Sequence, residues 1–281
     1  MGLPMSTNMI KGGFEIVGTA RTAKSRDALV AVGGTAVVGA TEVAKRCRYI
    51  ILALSSISVF HEICAELADV CEKGTIILET GTFPLVEKLK AKELLESRGI
   101  ILLDAPLSGT GEQAKHKDVV TFGSGDETAY KEFVLPIMGY GKSQYYLGEF
   151  GNGMKMKYIA NQLVAIHNVA AAEAVLFAKK MGMDIHQMVK VIGEGAGDSR
   201  MLQVRGPVMA DRTWADSQIT NKVFHKDITI IDEALFDAGC PSPLFMATKA
   251  IYTAAIASGH AEHDTASVYA VLEKMSEMPK E

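Results

Sequence analysis

Short apolar runs separated by amphipathic stretches fill the first half of the chain, at residues 15–18, 49–54, 75–80, 100–106, 119–125 and 145–148, and then stop. Strands recurring at this spacing with helical segments between them predict a parallel sheet with crossover helices. The runs at 49–54 and 75–80 are apolar on successive residues, so both sheet faces are expected to be covered, as in a doubly wound arrangement. Segments 58–70 and 84–97 carry helical spacing, with Pro84 near a first turn. Beyond Gly153 no strand-like run recurs. One long alanine-rich helix is predicted over 154–181, closed by Gly182, followed by helices near 184–194, 200–211, 220–238, 243–258 and 264–277. At 281 residues the chain is long enough for its core to divide. The expected organisation is an α/β domain over 1–150 and an all-helical domain over 151–281, with the long helix crossing the boundary.

Composition narrows the function. Hydrophobic residues at 48% and charged residues at 22% describe an ordinary globular protein. A net charge of -4 without clustered cations argues against nucleic acid and points to a small-molecule partner. The four cysteines form no C-x-x-C pair, so no metal centre or disulfide framework is expected, and free thiols suit a reducing cytosol. With no run of 18 apolar residues and no signal-peptide core, a cytoplasmic protein without a membrane partner is expected.

Four motifs carry the chemistry. The first is Asp104-Ala105-Pro106-Leu107-Ser108-Gly109-Thr110, where a hydroxyl and small residues at a turn suit an anion held beside a reaction centre; a plain strand-to-loop turn is the bland alternative. The second is Gly151-Asn152-Gly153-Met154-Lys155-Met156-Lys157, with Asn161 at i+4 from Lys157 and so on the same helix face. A lone helical lysine is ordinarily a surface residue, and here the glycine spacing and Asn161 argue otherwise. The third is Phe224-His225-Lys226-Asp227, whose lysine reads by itself as a solvated helix charge paired with Asp227. The fourth runs from Gly259 to Ser267; His260, His263 and Asp264 are read as a helix-start loop rather than metal ligands.

In this order the motifs resemble the β-hydroxyacid dehydrogenase family, which includes the 3-hydroxyisobutyrate dehydrogenases. The resemblance implies a Rossmann-type doubly wound sheet followed by an all-α domain. It implies Lys157 as the group exchanging a proton with the substrate oxygen while a hydride moves, and Asn161 fixing both lysine and substrate. An ammonium that ordinarily titrates near 10.4 would need burial and a neighbouring cation to act near neutral pH. Ser108, Gly109 and Thr110 would hold the substrate carboxylate, Leu54, Ser55 and Thr82 would flank the nicotinamide, and Lys226 would reach the cofactor. Thr110 replaces a usual glycine, Ala160 a common asparagine, and Ser199-Arg200 a common Ser-Trp. The family also implies a homodimer or homotetramer.

A dinucleotide-binding domain opens with a strand, G-x-G-x-x-G and a helix whose amides hold the pyrophosphate. Met1-Gly2-Leu3-Pro4-Met5 resembles the tail of that element, with Gly2 as its third glycine, so the first strand and two glycines are expected upstream. That strand is central in such sheets, and without it two neighbours lack a partner. A strand of about six residues burying large apolar side chains is worth on the order of 5–10 kcal/mol. The chain as written is therefore expected to fold or bind cofactor poorly unless another segment fills the gap. After the run at 15–18, Arg21 and Thr22 stand where NAD enzymes place an acid, which favours NADP(H) over NAD(H); a basic surface turn is the alternative. The expected activity is hydride transfer between NADP(H) or NAD(H) and a small β-hydroxyacid or its semialdehyde or keto acid. A non-catalytic relative acting as a binding module is the rival, and imine reductases, which lack the lysine, are a weaker one.

Overall fold

The computed structural model describes residues 1–215 and 219–276. The chain divides into two compact units, Met1–Lys157 and Tyr158–Glu281.

The first unit alternates helices and strands. Helix α1 (Gly2–Lys11) precedes β1 (Val17–Gly18), α2 (Ala23–Ala31), β2 (Thr35–Ala36) and α3 (Ala40–Ala44). Then come β3 (Tyr49–Leu52), α4 (Ile57–Val70), β4 (Ile76–Glu79), α5 (Leu85–Glu96) and β5 (Ile101–Asp104). The unit continues through β6 (Leu107–Ser108), α6 (Gly111–Lys115), β7 (Val120–Gly123), α7 (Glu127–Tyr140) and β8 (Ser143–Tyr146). Strands β3, β4 and β5 form a parallel ladder in register, Ile77 opposite Ile50 and Leu102. Successive residues of β4 face opposite sides, as strand geometry requires. Ile76 and Leu78 join Met5, Met9 and Phe133, while Ile77 joins Phe60, Leu67 and Leu95. Helices thus cover both faces, and the sheet is a doubly wound Rossmann-type sheet.

Several details differ from the sequence reading. The strand expected at 145–148 lies at Ser143–Tyr146, because pairing with β7 aligns Val120 with Ser143 and the chain turns at Gly148. The sheet is not wholly parallel: β6, read as part of a turn, runs antiparallel to β7. The short β2 carries too little apolar sequence to be noticed, and exists through its parallel pairing with β1. Among the described residues, β1–β2 and β3–β4–β5 are separate ladders, and no strand joins β1 to β3.

Helix α8 (Asn152–Lys180) crosses the division between the units. Its mean hydropathy of 1.3 over 18 residues and its length would let it span a bilayer, measures it shares with core helices of soluble proteins. The second unit continues with α9 (Ile185–Ile192), α10 (Arg200–Asp211), α11 (Asn221–Asp237), α12 (Pro243–Ala255) and α13 (Val268–Met275). Its core gathers Ala165, Ala172 and Val175 of α8 with Met209, Ile228, Phe245, Tyr252 and Tyr269. The helix expected to reach 258 ends at Ala255 in a wider turn over Ile256–His260, which Gly259 breaks at φ 91°. The one expected from 264 begins as a 3-10 turn capped by Asp264, whose carboxylate accepts from Ala266 N; residue 277 lies outside the described residues.

Candidate active site

The first two motifs meet through Asp104. Its Oδ2 accepts a hydrogen bond from the backbone N–H of Met154 at 2.8 Å. Ser124 Oγ accepts from Gly151 N at 3.2 Å and Gly153 N at 3.0 Å, and donates to Asp104 Oδ2. The first turn of a helix leaves its amides without intrahelical partners, and here sheet side chains supply them. A Cβ on Gly153 would lie 2.2 Å from Phe122 O, so only glycine lets α8 start this close to β7. This packing is why the helix begins two residues before the 154 expected from sequence.

Lys157 follows Met154 by three positions and is only 9% exposed, unlike an ordinary helical lysine. Lys155 is exposed and donates to Asn152 Oδ1. Ser108 is half-buried in β6, four positions after Asp104. Gly109 adopts φ 140°, and a Cβ there would meet Val119 Cγ1 at 2.7 Å. Thr110 is committed locally: its hydroxyl accepts from Gln113 N and its N–H donates to Gln113 Oε1, a capping box on α6.

Behind these residues lies a buried network that sequence reading missed. Glu79 and Asp104 are neighbouring partners on β4 and β5, and Lys88 Nζ sits 2.5 Å from Glu79 Oε2 and 2.7 Å from Asp104 Oδ1. All three are fully buried. Burial pushes the Glu79 carboxyl above its usual range, against the pull of Lys88. Burial works to lower the Lys88 ammonium, but Asp104 and Glu79 outweigh it and hold it above the usual lysine value. One signal was present in the sequence: Lys88 shares the buried face of α5 with Ala91 and Leu95, at helical spacing.

Several of the expected cofactor residues lie just after the carboxyl ends of β3 and β4. Glu79 Oε1 accepts from Gly81 N at 2.5 Å, and Thr80 donates through N and Oγ1 to Leu52 O. A Cβ on Gly81 would lie 3.0 Å from Leu54 O, which places the Leu54 carbonyl against the residue before Thr82. A Cβ on Gly2 would lie 3.8 Å from Ala53 Cβ, so the start of α1 reaches the same edge. Asn8 fixes α1 by donating to Ala114 O. Arg21 and Thr22 follow β1; Thr22 caps α2 by accepting from Ser25 N, and Arg26 donates to Ala20 O at 2.7 Å.

In the second unit, Asn161 is buried and donates to Asp227 Oδ2 at 2.9 Å. Lys226 is ion-paired with Asp227 at 3.3 Å, as the reading of a paired helix charge anticipates. Asp227, not singled out by sequence beyond its place in the motif, thus links the two. The loop of the fourth motif is pinned by the fully buried Asn221, which donates to His260 O and Ser267 Oγ. His260 and His263 share a hydrogen bond between their Nδ1 atoms.

Crevices at the carboxyl ends of doubly wound strands are where such sheets bind dinucleotides, and known proteins agree. The sequence model described as the NAD binding domain of 6-phosphogluconate dehydrogenase matches residues 1–148. The chain belongs to the β-hydroxyacid dehydrogenase family. Residues 151–272 match a second model, described as NAD-binding of NADP-dependent 3-hydroxyisobutyrate dehydrogenase. The chain is 30% identical to glyoxylate/succinic semialdehyde reductase 1 of Arabidopsis thaliana, over 74% of this chain and 73% of the relative. It is 25% identical to 2-(hydroxymethyl)glutarate dehydrogenase of Eubacterium barkeri, over 98% and 93%. The solved Mycobacterium tuberculosis 3-hydroxyisobutyrate dehydrogenase with L-serine superimposes with a TM-score of 0.87 at 23% identity, covering 97% and 95% of the chains. Members of this β-hydroxyacid dehydrogenase family are oxidoreductases that use a nicotinamide dinucleotide.

Proposed function

We propose that this chain is an NADP(H)-dependent reductase of a small carboxylate-bearing aldehyde or keto acid, also running in reverse on the β-hydroxyacid, with Lys157 as proton carrier. The observation that carries the reading is a lysine 9% exposed on a helix whose start is hydrogen-bonded to the Ser108 motif.

The residues present fit the cofactor. The first turn of α1 receives no side-chain cap, which leaves donor amides at the positive end of a helix. No carboxylate lies between Gly18 and Arg26 to repel a 2′-phosphate, and exposed Arg21 offers a planar cationic fork. Gly2, Arg21, Thr22, Leu54, Ser55 and Thr82 would hold the dinucleotide, which supplies the hydride when bound. Ser108 and the Gly109 turn would orient the substrate carboxylate. Lys157 Nζ would give a proton to the carbonyl oxygen as that carbon is reduced, and take it back from the hydroxyl in the reverse direction. Asn161, anchored by Asp227, would steady the group on the same helix face. The name of the plant reductase supports glyoxylate and succinic semialdehyde as first substrates to try.

The test is oxidation of NADPH, followed by absorbance, with either aldehyde, against NADH as comparison. Lys157→Ala is expected to lower kcat by about 10²–10⁴-fold while NADPH still binds by fluorescence titration. Unchanged turnover would remove Lys157 from the mechanism, and NADPH binding without turnover in the parent chain would favour the non-catalytic reading.

A further inference from the structure

We propose that Lys88, buried between Glu79 and Asp104, is a positioning residue that holds the start of α8, and with it Lys157, together with the loop after β4 that carries Thr82. The proposal rests on the reading of Lys157 as proton carrier.

Glu79 and Asp104 stand directly opposite each other on adjacent strands, both at 0% exposure. Like charges so placed repel, and two buried carboxylates without a cation do not both stay ionised. The single ammonium between them removes that conflict. Each carboxylate then spends its other oxygen on a backbone amide of the site. Glu79 Oε1 takes Gly81 N, one residue before Thr82, and Asp104 Oδ2 takes Met154 N, one turn before Lys157. One side chain therefore bridges both carboxylates, favours their ionised forms against burial, and so strengthens the hydrogen bonds that fix both segments. Bulk stability does not explain it, because apolar residues in place of a buried ion pair are often as stabilising or more so. Asp104 presents its second carboxylate oxygen to the positive end of α8.

The experiment uses the full chain in three forms: parent, Lys88→Met, and the double variant Lys88→Met with Glu79→Gln. The double variant retains one negative charge, on Asp104, and so keeps the cap on Met154. Amide hydrogen exchange is measured by mass spectrometry on peptides covering 151–157, 80–83 and, as reference, 57–70 of α4. In Lys88→Met, exchange at 151–157 and 80–83 is expected to rise about tenfold while 57–70 stays within about twofold. The double variant is expected to recover protection at 151–157 but not at 80–83. Steady-state kinetics should show kcat in Lys88→Met lowered about tenfold or more, with KM for NADPH raised because the Thr82 loop is loosened as well. Unchanged exchange at 151–157, equal acceleration of all peptides, or no recovery in the double variant would each overturn the proposal. A parent chain without turnover defeats the Lys157 reading instead, and the exchange data still decide the role of Lys88.

Discussion

A methyl group at Gly153 would lie 2.2 Å from the carbonyl oxygen of Phe122 and 3.0 Å from that of Asp104, inside contact distance of two strand backbones. Neither atom is the tip of a flexible side chain, so α8 itself must move. Gly153→Ala is expected to cost about 1–3 kcal/mol, read as a lower urea midpoint. Because a shift of about 1 Å in a catalytic group costs on the order of 10²-fold, kcat should fall further than stability alone explains. An unchanged midpoint would mean that the helix start is looser than described. The glycine spacing before Lys157 was legible as a motif. Its cause was not, because the oxygens that forbid a side chain come from residues 31 and 49 positions away in sequence.

Among the elements of the second unit, the end of α8, the residue after α10 and the last turn of α13 are tied by one carboxylate. Glu273 accepts from Lys179 at 2.7 Å and from Arg212 at 2.5 Å. Partial burial opposes its charge, but the two cations outweigh it and hold its carboxyl below the usual range. A depressed native value means that the contribution is present above the ordinary glutamate range, near 4.3, and is lost as pH falls through the lower native value. Both cations are half exposed, so solvent screening limits the tie to about 1 kcal/mol or less. Glu273→Gln should lower thermal stability slightly at pH 7 and leave it little changed only at a pH below the depressed native value, flattening the acid limb of a Tm-against-pH curve. The helices themselves were readable from apolar periodicity. Their exact ends followed caps such as Ser199 and Thr220, whose hydroxyls accept from Leu202 N and Val223 N.

Across the whole molecule, order is unevenly supported. The β1–β2 ladder is two residues long in each strand, and α2 buries only Leu29. The β3–β4–β5 ladder has four paired positions per strand, and every residue of β4 is buried. Amides of residues 15–37 are therefore expected to exchange well before those of β4 and β5 in native-state hydrogen exchange, since local opening follows sparse burial. Equal protection would show that the short ladder is reinforced by contacts not apparent from its pairing.

The amino-acid sequence by itself determined the alternation of strand and helix, the switch to an all-helical second half, and the types of residue in each motif. It could do so because hydrophobic period and turn chemistry are local properties of the chain. Only the tertiary structure decided that Asp104 would cap α8, that Asp227 would hold Asn161, and that a lysine could lie fully buried between two carboxylates. Those facts depend on which distant residues strand register and helix packing bring within hydrogen-bonding distance, and no local period encodes that.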